Sequence, residues 1–179
     1  DCFASDRDAR AFVALAAAVH DIGKISKPFA RQVGQFADLM GEVGLHTAGR
    51  GTTEAKSNKW MRHELAGAVA LGMAGKELGW DRGATVALAT VAGGHHGIPT
   101  QKRQLNRARR ERLHYLIDDE PDDPWANAQA EFTEFAVAIT DADPTAHVCL
   151  TQGALVLIQA IVMVADWISS STEYFPLVP

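Results

Sequence analysis

Four short stretches hold the residues best suited to chemistry. His20 is followed at once by Asp21, then by Ile22–Gly23–Lys24. His63 stands in Arg62–His63–Glu64, and His95 and His96 are adjacent, bounded by Gly93–Gly94 and Gly97. Asp166 interrupts an otherwise apolar segment in Val164–Ala165–Asp166–Trp167. Taken singly, each has an ordinary explanation. A lone histidine is more often a surface or satisfied core residue than a ligand, and a His–Asp pair arises often by chance. Asp166 carries the most information. Ile161, Val162, Val164, Trp167 and Ile168 around it predict a largely buried helix. A buried carboxylate without a partner costs roughly several kcal/mol, so it must be protonated, paired or metal-bound. A salt bridge to Arg or Lys is the plain alternative, although few cations lie near it in sequence.

Taken together, the residues suit a metal site. Imidazole and carboxylate form the donor set for divalent transition metals such as Mn, Fe, Co, Ni or Zn. One aspartate offers two oxygens and can bridge two ions. Two ions roughly 3.5–4 Å apart can clamp the attacking and leaving oxygens of a phosphodiester displacement. Metal-bound water is also acidified toward neutral pH, and phosphoryl chemistry then asks little more of a protein than position and charge.

The chain of 179 residues is long enough for one domain with a full core. Its 47% apolar content excludes a disordered chain. A formal net charge of -5 means that any nucleic-acid contact must come from a local patch or a metal. Cys2 and Cys149 are the only cysteines, which argues against a disulfide scaffold or a thiolate zinc site and fits a reducing cytoplasm. The chain begins at Asp1 without Met or a signal pattern, and is read as a piece of a longer polypeptide. The stretch from Ala154 to Ile168, broken by Gln159 and Asp166, reads as too short and too polar to span a membrane.

The elements that must position these residues read as helices. Asp8 to His20 is helical, with Asp6 or Asp8 as its N-cap and Gly23 at its end. A second helix runs from Lys27–Pro28 to Met40, and Gly41 to Asn58 is a loop. Ser57 or Asn58 caps a helix reaching about Leu78, and Asp81 caps the next, which ends at Gly93–Gly94. Charged residues Gln101 to Leu116 form a helix, followed by an acidic turn from Asp118 to Pro124. Trp125 to Ile139 is helical, Asp141 to Pro144 breaks it, and Thr151 opens a last helix reaching about Ser170. No alternating run reads as a strand. The expectation is one all-α domain over residues 1–179, a helical bundle with the metal site in its core.

The full pattern resembles the HD superfamily of metal-dependent phosphohydrolases. Its detail is similar to one family within it, the HD nuclease domain of the type I CRISPR helicase-nuclease. The resemblance rests on His20 to Lys24 with Phe29 soon after, on Arg62–His63–Glu64, on Gly93 to Gly97, and on Ala165 to Ser170 with Phe175–Pro176 near the end. It implies an all-helical HD domain that binds one or two divalent transition-metal ions, Fe, Mn, Ni or Co in preference to Mg. It implies that Asp21 bridges, that His20 and Asp166 hold the first ion, and that His63, His95 and His96 hold the second. Lys24 would lie beside the scissile phosphate, so Asp21 and Lys24 are the catalytic candidates; Lys24 also reads as a surface lysine near a helix C-terminus. The family has a further metal-binding histidine well upstream of the His–Asp pair. Here only 19 residues precede His20 and none is histidine. His46 is the weak replacement candidate, and His114 and His147 read as structural or surface residues.

The implied substrate is single-stranded DNA, cut beside a helicase domain or subunit and supplied by the RNA-guided complex Cascade. The sequence has no GxxxxGK[ST] loop, so no ATPase activity is expected of this chain itself. Arg103, Arg107 and Arg110 fall on one helix face at i, i+4, i+7 and are the DNA-binding candidates. A solvated helix balanced by Asp118 to Asp123 is the alternative. Of Trp60, Trp80, Trp125 and Trp167, Trp60 is the expected exposed base-stacking residue and the others are expected in the core. Ser169 and Ser170 follow Asp166 and suit phosphate or ligand contacts, or need no function as helix-end residues. Two other functions compete: an HD phosphohydrolase of nucleotides or cyclic dinucleotides, and a non-catalytic adaptor.

Overall fold

The computed structural model describes residues 2–32, 34–47, 62–110 and 123–175. Eight α-helices lie among the described residues: α1 (Asp6–Val19), α2 (Lys27–Ala30), α3 (Gly34–Glu42), α4 (His63–Glu77), α5 (Arg82–Gly94), α6 (Lys102–Arg110), α7 (Pro124–Thr140) and α8 (Gln152–Ser169). A 3-10 turn, Ile22–Lys24, follows α1, and the described residues contain no strand. The chain is all-α, as its sequence predicts.

Local chemistry sets most boundaries. Asp81 caps α5 by accepting from the Gly83 and Ala84 amides at 2.8 and 3.1 Å, so two orphan donors of the first turn are satisfied at once. Thr151 caps α8 through the Ala154 amide, and Asp123 caps α7 through the Trp125 amide ahead of Pro124. Ser5, not Asp6 or Asp8, caps α1, because its extended backbone lets the hydroxyl accept from the Asp8 amide. The acidic side chains of Asp6 and Asp8 then lie in the first turn, where the helix dipole favours them. The expected single helix from Lys27 to Met40 is two helices, since after α2 the Gln32 amide turns tightly onto the Phe29 carbonyl. The loop expected for Gly41 to Asn58 starts later, because α3 runs to Glu42. Its residues 48–58, the Ser57 and Asn58 caps, the 111–116 end of the charged helix and the acidic residues 118–122 lie outside the described residues.

The core joins α1, α5 and α8. Phe12, Leu15, Ala16 and Val19 meet Leu88, Val91 and Ala92, with Ile158 and Val162 closing the cluster. Burying side chains of this size stabilises by about 1.5–3 kcal/mol each for the larger ones. Helix α4 is enclosed by α5, α6 and the 3-10 turn, and its small residues Ala66, Gly67, Ala68 and Ala70 permit the close approach. Gly23 is required here. A Cβ on it would collide with the His63 carbonyl oxygen and sit 2.5 Å from the Gly67 nitrogen. The turn after His20–Asp21 is thereby pressed onto the start of α4, where His63 begins.

Helix α8 departs from expectation. Only Ile158 and Val162 are buried in it, while Ile161, Val164, Trp167 and Ile168 are exposed. Among the described residues its main contacts are with α1 and α5. Counted over Gln152–Ser169, it is also long and apolar enough to cross a membrane by length and composition, which corrects the shorter reading from Ala154 to Ile168. Gln159 and Asp166, the residues that interrupt its apolar run, face the bundle and make contacts there.

Candidate metal centre

Four elements deliver six donors to one place. His20 follows the last turn of α1 and His95 the last turn of α5. A helix end leaves its last carbonyls without amide partners, and in both cases the imidazole supplies one. His20 Nδ1 lies 2.6 Å from the Ala17 carbonyl oxygen, and His95 Nδ1 lies 2.7 Å from that of Ala92. A carbonyl only accepts, so each Nδ1 carries the proton and donates it. Each Nε2 is thereby directed inward, the usual outer-shell arrangement of a metal-binding histidine.

Asp21 sits between these rings. Its Oδ2 is 3.3 Å from His20 Nε2 and 2.5 Å from Lys24 Nζ. Its Oδ1 is 3.3 Å from His63 Nε2 and 3.5 Å from His95 Nε2. Asp166 Oδ1 lies 3.5 Å from His20 Nε2, and His96 Nε2 lies 3.1 Å from His63 Nε2. Donors about 2.0–2.1 Å from one ion lie about 2.8–3.4 Å from one another at octahedral or tetrahedral angles, and these separations fall close to that range. Two donor groups result, one of His63, His95 and His96 and one of His20, Asp21 and His95. His95 belongs to both.

The buried polar atoms fit an ion. His20 Nε2, Asp21 Oδ1 and His95 Nε2 are buried and make no hydrogen bond. In the neutral rings each Nε2 is a lone pair facing a carboxylate oxygen, acceptor against acceptor, which only a proton or a cation between them relieves. Electrostatics agree. Burial disfavours the Asp21 carboxylate, yet contacts from His20, His63 and Lys24 outweigh it and hold the group far below the ordinary carboxylate range. Burial likewise opposes charge on His20, but Asp21, the Ala17 carbonyl and Asp166 raise its pKa overall. For His95 burial wins, helped by His96, and its pKa is lowered.

The surroundings shape the opening. His95 is fully buried whereas the His96 side chain is 45% exposed, so access is from the His96 side. The Phe29 ring packs edge-on against His63, and Lys24 Nζ lies 5.8 Å from its centroid. Asp166 is held by His20 and by the Ser170 hydroxyl, which donates to Oδ1 at 3.3 Å. It is half-buried on the inner edge of an otherwise exposed helix end, where a largely buried helix was expected.

The Cas3 HD domain family model matches residues 2–175. The chain belongs to that family. A relative from Streptococcus thermophilus, the CRISPR-associated nuclease/helicase Cas3, is 27% identical over 175 residues. The alignment covers 89% of this chain but 18% of that protein, so the chain spans about a fifth of its curated relative. The fold is shared with the Thermus thermophilus Cas3 HD domain crystallised in the presence of Ni2+, at a TM-score of 0.62 and 23% identity over 96% of this chain and 59% of that one. A second crystal structure, of a CRISPR-associated protein, gives a TM-score of 0.75 at 22% identity, covering 97% of this chain and 18% of that one. Cas3 from T. fusca gives 0.65 at 21% identity, over 96% and 18%.

Within this Cas3 HD domain, the other predicted residues are distributed as follows. Arg103, Arg107 and Arg110 are exposed on α6, whose Leu105 and Ala108 pack against Ala66 and Val69 of α4. Lys24 is at the rim but pairs with Asp21. His46 belongs to neither donor group, and its carbonyl accepts from the Trp125 indole at 3.0 Å. His147 is exposed beside Asp81, while His114 and Trp60 lie outside the described residues. Trp125 is buried and Trp80 half-buried, but Trp167 is 68% exposed, against expectation. It lies on the side of α8 turned away from the core.

Sequence reasoning passed over Glu64. Its carboxylate is buried, with Oε2 3.6 Å from His63 Nδ1 and Oε1 3.9 Å from His96 Nε2, and it pairs with Arg62. Burial opposes its charge, but its own amide, Arg62 and His63 lower its pKa nonetheless. A carboxylate behind a histidine raises that ring's basicity as a ligand. The signal was its place next to His63, where on a helix it turns inward.

Proposed function

We propose that this chain is a metal-dependent nuclease domain that hydrolyses phosphodiester bonds of single-stranded DNA in type I CRISPR interference. The carrying observation is the convergence of His20, Asp21, His63, His95, His96 and Asp166, with three buried atoms facing one another unbonded. Asp21, His20 and Asp166 would hold one ion, and Asp21, His63, His95 and His96 a second, with His95 also within reach of the first. Imidazole-rich donors favour Fe, Mn, Ni or Co over Mg. When bound, such ions supply Lewis acidity and a water acidified toward neutral pH.

The residues of this chain do the positioning. Asp21 directs one oxygen to each donor group, and the Ala17 and Ala92 carbonyls keep the His20 and His95 rings turned inward. Lys24, at the rim, offers a positive charge to the scissile phosphate. Arg103, Arg107 and Arg110 would track the strand backbone. Replacing any one with Ala should lower single-strand affinity and reduce the salt slope by about 0.7 for each phosphate no longer neutralised, measured by binding at several salt concentrations.

Partners follow from the same reading. The Streptococcus thermophilus relative is about five times longer and is named a nuclease/helicase. A helicase domain or subunit would feed the strand, and Cascade would open the DNA, in the cytoplasm. The exposed apolar side of α8, with Val156, Leu157, Ile161, Val164 and Trp167, suits contact with such a protein partner. The chain would act as a single HD domain of that larger machine.

The test compares metal-loaded protein on single-stranded DNA, duplex DNA, nucleotides and cyclic dinucleotides, with EDTA as control. Cleavage of single strands that EDTA abolishes is expected. Hydrolysis of nucleotides or cyclic dinucleotides alone would transfer the function to that HD class.

A further inference from the structure

Gln159 is the one amide side chain in the apolar run of α8, and none of the six proposed ligands explains it. Its side chain is half-buried on the edge of α8 that faces α5. The amide Nε2 donates to the Gly94 carbonyl oxygen at 2.5 Å. Gly94 is the last residue of α5 and immediately precedes His95–His96. We propose that Gln159 is a positioning residue of the metal centre, whose side-chain amide fixes the His95–His96 turn against α8. The inference rests on the metal-centre reading.

The geometry argues this in three steps. First, the approach is built into the backbone. A Cβ on Gly94 would lie 2.9 Å from Gln159 Nε2 and 3.0 Å from its Oε1, so glycine is what admits the amide. Second, the carbonyls at the end of α5 need partners. Gly93 receives the Thr100 hydroxyl at 2.5 Å, and Gly94 receives the Gly97 amide at 2.8 Å together with Gln159. The Thr100 and Gly97 bonds come from the turn's own exit, whereas the Gln159 bond to the Gly94 carbonyl comes from a different helix. Third, the same edge of α8 continues to the site. Met163 lies against Gly97, whose ideal Cβ is 3.7 Å from the Met163 methyl, and Asp166 reaches His20.

Residues 159, 163 and 166 follow the i, i+4, i+7 spacing of one helix edge. One rigid element therefore sets both the His95–His96 pair and Asp166. Gln159 acts through the turn: its amide is bound to the Gly94 carbonyl, one residue before the ligands.

The experiment is a Co2+ titration of the purified chain, read by affinity and by the visible ligand-field band. The variants are Gln159→Met, which keeps length and packing but removes the donor, and Gln159→Glu, which keeps size and replaces the donor with an acceptor. Thermal melts without metal check folding of both. Gln159→Met should weaken Co2+ binding by about 10-fold, the low end of the range for loss of a partner bonded directly to a ligand, since Gln159 acts one residue away. Both variants should alter the band, which a purely structural role would leave in place while moving the melt. A wild-type band and affinity in either folded variant would overturn the inference alone. Failure of the wild-type chain to take up Co2+ would overturn the metal-centre reading and this inference with it.

Discussion

Asp21 and Asp81 both face histidines, and they are put to opposite uses. Asp81 is filled by its own backbone. Its Oδ1 accepts from the amides of Gly83, Ala84 and Val148, and its Oδ2 lies 3.3 Å from exposed His147. The Val148 amide is the main cause of a pKa lowered to about 2, with help from the Ala84 amide and against the cost of burial. Asp21 has a buried oxygen with no hydrogen bond and is ringed by the Nε2 atoms of His20, His63 and His95, of which His20 and His95 have Nδ1 committed to a backbone carbonyl. A saturated carboxylate is a helix cap and splice point. An unsaturated one among inward-turned rings is what the proposed cation site requires.

Substitutions test that contrast, beginning with the largest effect. Asp21→Ala should abolish metal uptake and cut DNA cleavage by at least about 10²–10³-fold, the scale of losing one principal electrostatic group. Asp81→Ala should leave both intact in the folded fraction. Equal losses from the two would erase the distinction. Next, His95→Ala should remove more bound metal than His96→Ala, because His95 belongs to both donor groups and His96 to one. Calorimetric stoichiometry reads this directly, and a greater loss from His96→Ala would reverse the order.

Metal addition at about 100 times its Kd should stabilise the fold by about 2.7 kcal/mol. For a domain of this size that is a rise in Tm of about 5–10 °C. EDTA should reverse it and Asp21→Ala should lack it, both visible in a thermal melt. The smallest effect concerns acid. Asp81 has a folded pKa below the ordinary 3.8, so its contribution to stability is full above that value and is lost as pH falls toward 2. Wild type should lose stability across this window more steeply than Asp81→Ala, as followed by denaturant midpoints at each pH. Parallel curves would mean that the cap is not what titrates.

The same contrast explains what was legible in the sequence. Caps are local, so Asp81 and Thr151 announce their helices, and α5 ends where Gly93–Gly94 predicts. The six donors were legible as types in a pattern, and the family resemblance supplied their grouping. The sharing of His95 between the groups was not, because it depends on how α1 and α5 end beside each other. Burial on α8 differs from the sequence expectation for a similar reason. An apolar run states that a helix has faces to cover, but only packing tells which face this domain covers, and Trp167 lies on the other. Glu64 and Gln159 act through His63 and Gly94, and no spacing rule links a side chain to a carbonyl 65 residues away.

Everything proposed for this site turns on Asp21 as the meeting point of bound metal. Anomalous diffraction from crystals grown with Mn2+ or Ni2+ tests it most directly. The account predicts anomalous density within about 2.0–2.3 Å of an Asp21 oxygen and of His20 and Asp166, of His63, His95 and His96, or of both sets. Metal-loaded crystals with that density elsewhere, and none beside Asp21, would contradict it.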